Sequence, residues 1–173
     1  TLIAPKIIPL IFGEQFLNSI YALQVLIWVI IPTFTIYVLG LAMVAINKEV
    51  LGMYTNLAAA VINVVLNLLL IPAYSYIGAS IATVACETIL FIIDYVIISK
   101  YLGTINLLKI SYKPVFASAV MGISLFYLNF LNVFIMIAVG VLIYASVMYV
   151  TRAVSLDDKE RILSLIKRKD VVK

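Results

Sequence analysis

This sequence contains no histidine and a single cysteine, Cys86, and only 12% of its 173 residues are charged. Without histidine, neither a His-containing zinc centre nor an imidazole general base can be built from this chain. One cysteine cannot close a disulfide within the chain, and its position inside an apolar run says little about redox compartment. The scarcity of charge also rules out an ordinary soluble domain, whose apolar share is nearer half. Here 65% of residues are hydrophobic and the mean hydropathy is +1.21. A membrane β-barrel would need alternating segments of about 10 residues, whereas these apolar runs are continuous. Runs of about 18 residues or more read as transmembrane helices. The expected class is therefore all-α: a polytopic membrane helix bundle.

Read in order, residues 1–12 are too short to cross a bilayer and read as the end of a truncated transmembrane helix. The chain opens at Thr1 in apolar sequence without a signal-peptide pattern, which suggests a portion of a longer protein. Within 13–150, five complete spans are expected at about 19–46, 50–72, 78–99, 112–128 and 133–150. The first would be about 42 Å long, more than the roughly 30 Å hydrocarbon core, so it must tilt, bend or protrude. Pro32 near its middle removes a backbone hydrogen bond and is a candidate kink or hinge. Pro72 closes the second span, and the following turn carries interfacial Tyr74 and Tyr76 but no charge. Gly78, Ala82 and Cys86 then form a row of small residues that permits tight helix packing.

Residues 151–173 differ in character. Ser155 followed by Asp157 and Asp158 reads as a helix N-cap with acids in the first turn. Leu156, Ile162, Leu163, Leu165 and Ile166 give one apolar stripe among basic residues. The expectation is a C-terminal amphipathic helix, with Lys159, Arg161, Lys167 and Arg168 contacting an anionic membrane surface. Alternating the turns places 13–18, 73–77 and 129–132 on one side, with no lysine or arginine. Lys48, Lys100, Lys109, Lys113, Arg152 and the basic tail fall on the other. The positive-inside rule then puts the C-terminus in the cytoplasm of a multi-pass cell-membrane protein. The pI of about 9.1 reflects that topology rather than nucleic-acid binding.

Polar residues inside the spans carry the functional reading. Asn56, Asn63 and Asn67 are spaced to share one helical face. Glu87 lies near mid-span, where a charge costs about 2.5–3.5 kcal/mol on insertion scales. Asp94 follows about 10.5 Å along the same face. Glu87, Asp94, Asn63 and Asn67 are candidate substrate or cation contacts. In the purely structural alternative, Glu87 bonds to Asn63 or Asn67 on a neighbouring helix. Asp94 then reaches water or pairs with Lys100, and the asparagines act as helix-to-helix glue. No metal set or cofactor motif is present, and no nucleophile set points to an enzyme.

Several strings carry a family resemblance. They are IIPLIFGEQF at 7–16, Asn47-Lys48 after a long proline-containing span, Leu70-Ile71-Pro72, and the run from Ile77 to Thr83. Over about 3–99 the chain resembles the polysaccharide flippases. These are the O-antigen and teichoic-acid type translocases of lipid-linked oligosaccharides in the multidrug/oligosaccharidyl-lipid/polysaccharide exporter superfamily. The resemblance implies a parent with two six-helix lobes, of which this chain is the end of the second lobe plus two extra helices. It also implies that the N-terminal lobe, the lipid bilayer and a lipid-linked saccharide are the partners, and that no catalysis occurs. A cation-coupled multidrug antiporter of the same superfamily and a non-transporting structural subunit are the alternatives.

Overall fold

Lipid offers no hydrogen bonds to bare backbone, so apolar runs this long fold as helices. The computed structural model describes residues 1–104 and 106–151, without the side chains of 108–110. Lys159, Arg161, Lys167 and Arg168, with the expected amphipathic helix, lie outside the described residues. The chain divides into two units, Thr1–Ile105 and Asn106–Lys173. Among the described residues, three helical stretches are long and apolar enough to cross a membrane: Ser19–Ala45, Glu49–Leu102 and Val133–Val150.

In the first unit, α1 is a short helix, Ala4–Phe12, followed by a 3-10 turn at Glu14–Phe16. Helix α2, Ser19–Leu26, runs through a second 3-10 turn, Ile27–Val29, into α3, Ile30–Ala45. The turn lies where a proline effect would put it. Pro32 has no N–H for the carbonyl of Trp28, four residues earlier, and the helix tightens around that residue. Helix α3 ends in a paired cap. Asn47 N–H donates to the Val44 carbonyl and Lys48 N–H to the Met43 carbonyl, with Asn47 left-handed at φ 56°.

Helix α4, Glu49–Leu102, has 54 residues and would be about 81 Å long if straight. It is folded in two. Ser75 alone departs from helical geometry, at φ 52° and ψ −134°. Beyond it the arm 76–102 returns along the arm 49–74. The Cys86 thiol donates to the Ala59 carbonyl at 3.1 Å; in a straight helix these residues would stand about 40 Å apart. Sequence reading expected an open turn at 73–77; the helix instead persists to Tyr74 and resumes at Tyr76. The reversal needs two permissive residues. Ser75 takes a positive φ that side chains rarely adopt, and Gly78 lies so close to the Leu70 carbonyl that any Cβ would strike it.

The inner face of the second arm is a single row four residues apart: Gly78, Ala82, Cys86, Leu90, Asp94 and Ile98, all buried. Small side chains lie near the reversal, where the arms are closest, and larger ones further along. Helix α3 covers the open part of the hairpin. Leu39 and Met43 pack on Ile98, and Ile36 lies against Ala59, Cys86 and Leu90. Lys48 Nζ sits 5.2 Å above the Tyr101 ring, tying the α3–α4 connection to the far end of the hairpin. The outer faces stay apolar and open: Phe34 is 69% and Leu68 70% exposed, as suits helices bathed in hydrocarbon.

In the second unit, α5, Leu107–Tyr127, and α6, Val133–Val150, form a helical hairpin. The Asn132 side chain accepts from Phe134 N–H and starts α6. Gly140 admits Leu125 and Met121, and Ala117 and Met136 are fully buried.

Two substitutions test the reversal. Ser75→Gly removes a strained φ worth about 1–3 kcal/mol and should raise the apparent melting temperature of the detergent-solubilised full-length protein. Gly78→Ala should lower both that temperature and membrane abundance, because the carbonyl it meets belongs to the backbone and cannot rotate away.

Candidate functional site

The candidate residues fall in three places around the α4 hairpin. Glu87 is half-buried on the second arm, and its Oε2 accepts from Thr33 Oγ1 at 3.1 Å. The partner is therefore on α3, directly after buried Pro32, rather than Asn63 or Asn67 on the first arm. Thr33 is 54 positions from Glu87, and no local pattern in the sequence pairs them.

Asn63 and Asn67 bond to each other along their own helix. Asn67 Nδ2 donates to both the carbonyl and Oδ1 of Asn63, each at 2.9 Å. Together with Val64, Leu68, Ile71 and Pro72 they line an open groove of about 310 Å³. Asn63 also lies against the Cys86 thiol across the hairpin. Asn56 donates back to the Gly52 carbonyl at 2.7 Å. These amides largely satisfy themselves locally, with Asn63 also touching the opposite arm at Cys86.

Asp94 is only 2% exposed, so it does not reach water in this unit. It belongs to the buried row, with Thr55 of the first arm beside it. The Thr55 hydroxyl donates to the Gly52 carbonyl at 3.0 Å. One hydroxyl proton serves one acceptor, which leaves the carboxylate poorly supplied. Asp94 Oδ1 has no hydrogen-bond partner among the described residues. Thr33 and Thr55, which contact the two carboxylates, were both missed by sequence reasoning. Isolated threonines in an apolar helix usually bond to their own backbone, as Thr83 and Thr88 do here, and so give no signal.

The arrangement is a membrane-type hairpin with two intramembrane carboxylates, one half-buried against α3 and one enclosed between the arms. Such groups belong to proteins that move polar cargo or ions through lipid more often than to passive spans. A stretch of 110 residues, 64% of the chain, is 26% identical to the probable low-salt glycan biosynthesis flippase Agl15 of Haloferax volcanii. That stretch spans 22% of the flippase, so the chain matches about a fifth of that protein. No protein-family model matches the chain, and no solved structure gives a significant match. The likeness extends to a flippase-type family and no further.

Asp94→Asn should stabilise the full-length protein by about 1 kcal/mol, seen as a higher apparent melting temperature. The amide can donate to Thr55 Oγ1 and buries no charge. A lower temperature would mean that a group outside the described residues holds the carboxylate.

Proposed function

We propose that this chain is part of a membrane transporter that flips lipid-linked oligosaccharide or polysaccharide precursors across the cytoplasmic membrane by alternating access. The observation that carries this reading is the 110-residue similarity to a glycan flippase. In the proposed topology the chain crosses the bilayer five times, with the basic C-terminal segment in the cytoplasm. It supplies one wall of the pathway, and the N-terminal lobe of the same protein supplies the other. The polar head group crosses near the midplane while its lipid tail stays in the bilayer. In this reading Glu87 meets a polar head group or a coupling cation. Its free lone pairs accept from hydroxyl or ammonium groups, and one site is already held by Thr33. Asn63 and Asn67 present a second polar surface at the groove on the first arm. The role is transport, with no catalytic step.

Deleting the full-length gene tests the proposal. Lipid-linked saccharide should accumulate on the inner leaflet and surface glycan should fall. Unchanged surface glycan would overturn the reading. In the full-length protein, Glu87→Gln should lower flux about tenfold at normal membrane abundance, because the charge is lost while size and hydrogen bonding are kept. Normal flux would assign Glu87 to packing.

A further inference from the structure

The contact between Thr33 and Glu87 joins two elements with different freedom. The hairpin of α4 is closed by its small-residue row and by Gly78 against the Leu70 carbonyl. The α2–α3 rod is weakened by the 3-10 turn Ile27–Val29 and by Pro32. Beside that turn, an open groove of about 740 Å³ lies among α2, the second arm and the N-terminal Thr1 and Leu2, with Trp28 on one wall and Ile77 and Val84 on another. The rod therefore has both a weak point and room beside it. Directly past the weak point comes Thr33, bonded to Glu87 at 3.1 Å. One turn further, Ile36 covers the cluster of Ala59, Cys86 and Leu90.

We infer that Thr33 is the positioning residue of Glu87, and that the pair is a latch clamping the α2–α3 rod onto the α4 hairpin. With the latch closed, the Glu87 carboxylate is held in one orientation and Ile36 shields Cys86. When the rod swings at Ile27–Val29, Thr33 withdraws, the carboxylate is released, and the cover over Cys86 lifts. The latch needs a hydrogen-bond acceptor at 87 but no charge, since a glutamine carbonyl accepts from Thr33 equally well. Its coupling to transport rests on the function proposed above; the latch itself does not.

Cys86 is a built-in reporter. Membranes containing the full-length protein are treated with N-ethylmaleimide, and the peptide carrying Cys86 is followed by mass spectrometry. Thr33→Val and Glu87→Ala should each speed labelling at least threefold, and the double variant should be no faster than the faster single. Thr33→Ser keeps the bond and should label at the wild-type rate, and Glu87→Gln, which keeps the bond but loses the charge beside the thiol, should label more slowly than Glu87→Ala. Thr33→Ala replaces Thr33→Val if the valine protein fails to accumulate. Wild-type labelling in both Thr33→Val and Thr33→Ala overturns the latch, as does Thr33→Ser behaving like Thr33→Val. Effects that multiply in the double variant also overturn it, because two independent sites are then at work. Surface glycan measured in the same strains separates the two proposals. Under both, Glu87→Gln loses glycan while Cys86 stays less reactive than in Glu87→Ala. If the transport reading fails, glycan is unchanged throughout and the labelling pattern still decides the latch.

Discussion

The close approach of Gly78 to the Leu70 carbonyl governs the rest of the first unit. A backbone can fold back on itself within lipid only if few carbonyls and amides lose their partners on the way. Here the departure from helix is a single residue, Ser75. The cost is a strained φ and a glycine that admits no side chain. The return is an arm pair close enough for a thiol to reach the opposite backbone, Cys86 to Ala59. Once the arms are that close, the residues facing each other must be small near the reversal and larger beyond it, and the buried row follows that order.

Polar side chains in the spans follow a second constraint. Thr35, Ser80, Thr83, Thr88 and Ser124 each donate to the carbonyl four residues back on their own helix. Such bonds satisfy the hydroxyl without committing it to a neighbour. Polar contacts that do cross between helices are thus exceptions with consequences. Thr33–Glu87 and Cys86–Ala59 are two of them, and they hold different things: one the rod to the hairpin, the other the hairpin to itself.

Much of this was legible in the sequence where it depended on periodicity. Continuous apolar runs gave the all-helical class, and the fourfold spacing of Gly78, Ala82 and Cys86 marked the face that became the inner row. The shared face of Asn63 and Asn67 was legible for the same reason, and the two side chains do meet. Partners across helices were not legible. Nothing in the sequence fixes the rotation of one helix against another, so Glu87 was matched with asparagines on the adjacent arm and finds Thr33 instead. Asp94 was read as a candidate substrate or cation contact, or in the structural alternative as reaching water or Lys100. It belongs to the same fourfold row as Cys86 and Leu90, and extending the row Gly78, Ala82, Cys86 by two steps would have placed it inside.

The energy scale of these contacts bears on which of them can change during a transport cycle. An interhelical hydrogen bond in a membrane protein averages about 0.6 kcal/mol and reaches about 1.7. A carboxylate acceptor puts Thr33–Glu87 toward the upper end. Even there, a preference for the closed rod of roughly twentyfold is all the bond can give. A head group or cation that bound only the released carboxylate could reverse a preference of that size with modest affinity. Opening the hairpin would instead mean parting Gly78, Ala82 and Cys86 from the first arm along their whole row and leaving the Cys86 thiol without its Ala59 acceptor. The first motion lies within reach of a bound ligand and the second does not. A rigid hairpin with a swinging rod is thus the division of labour that these interactions allow.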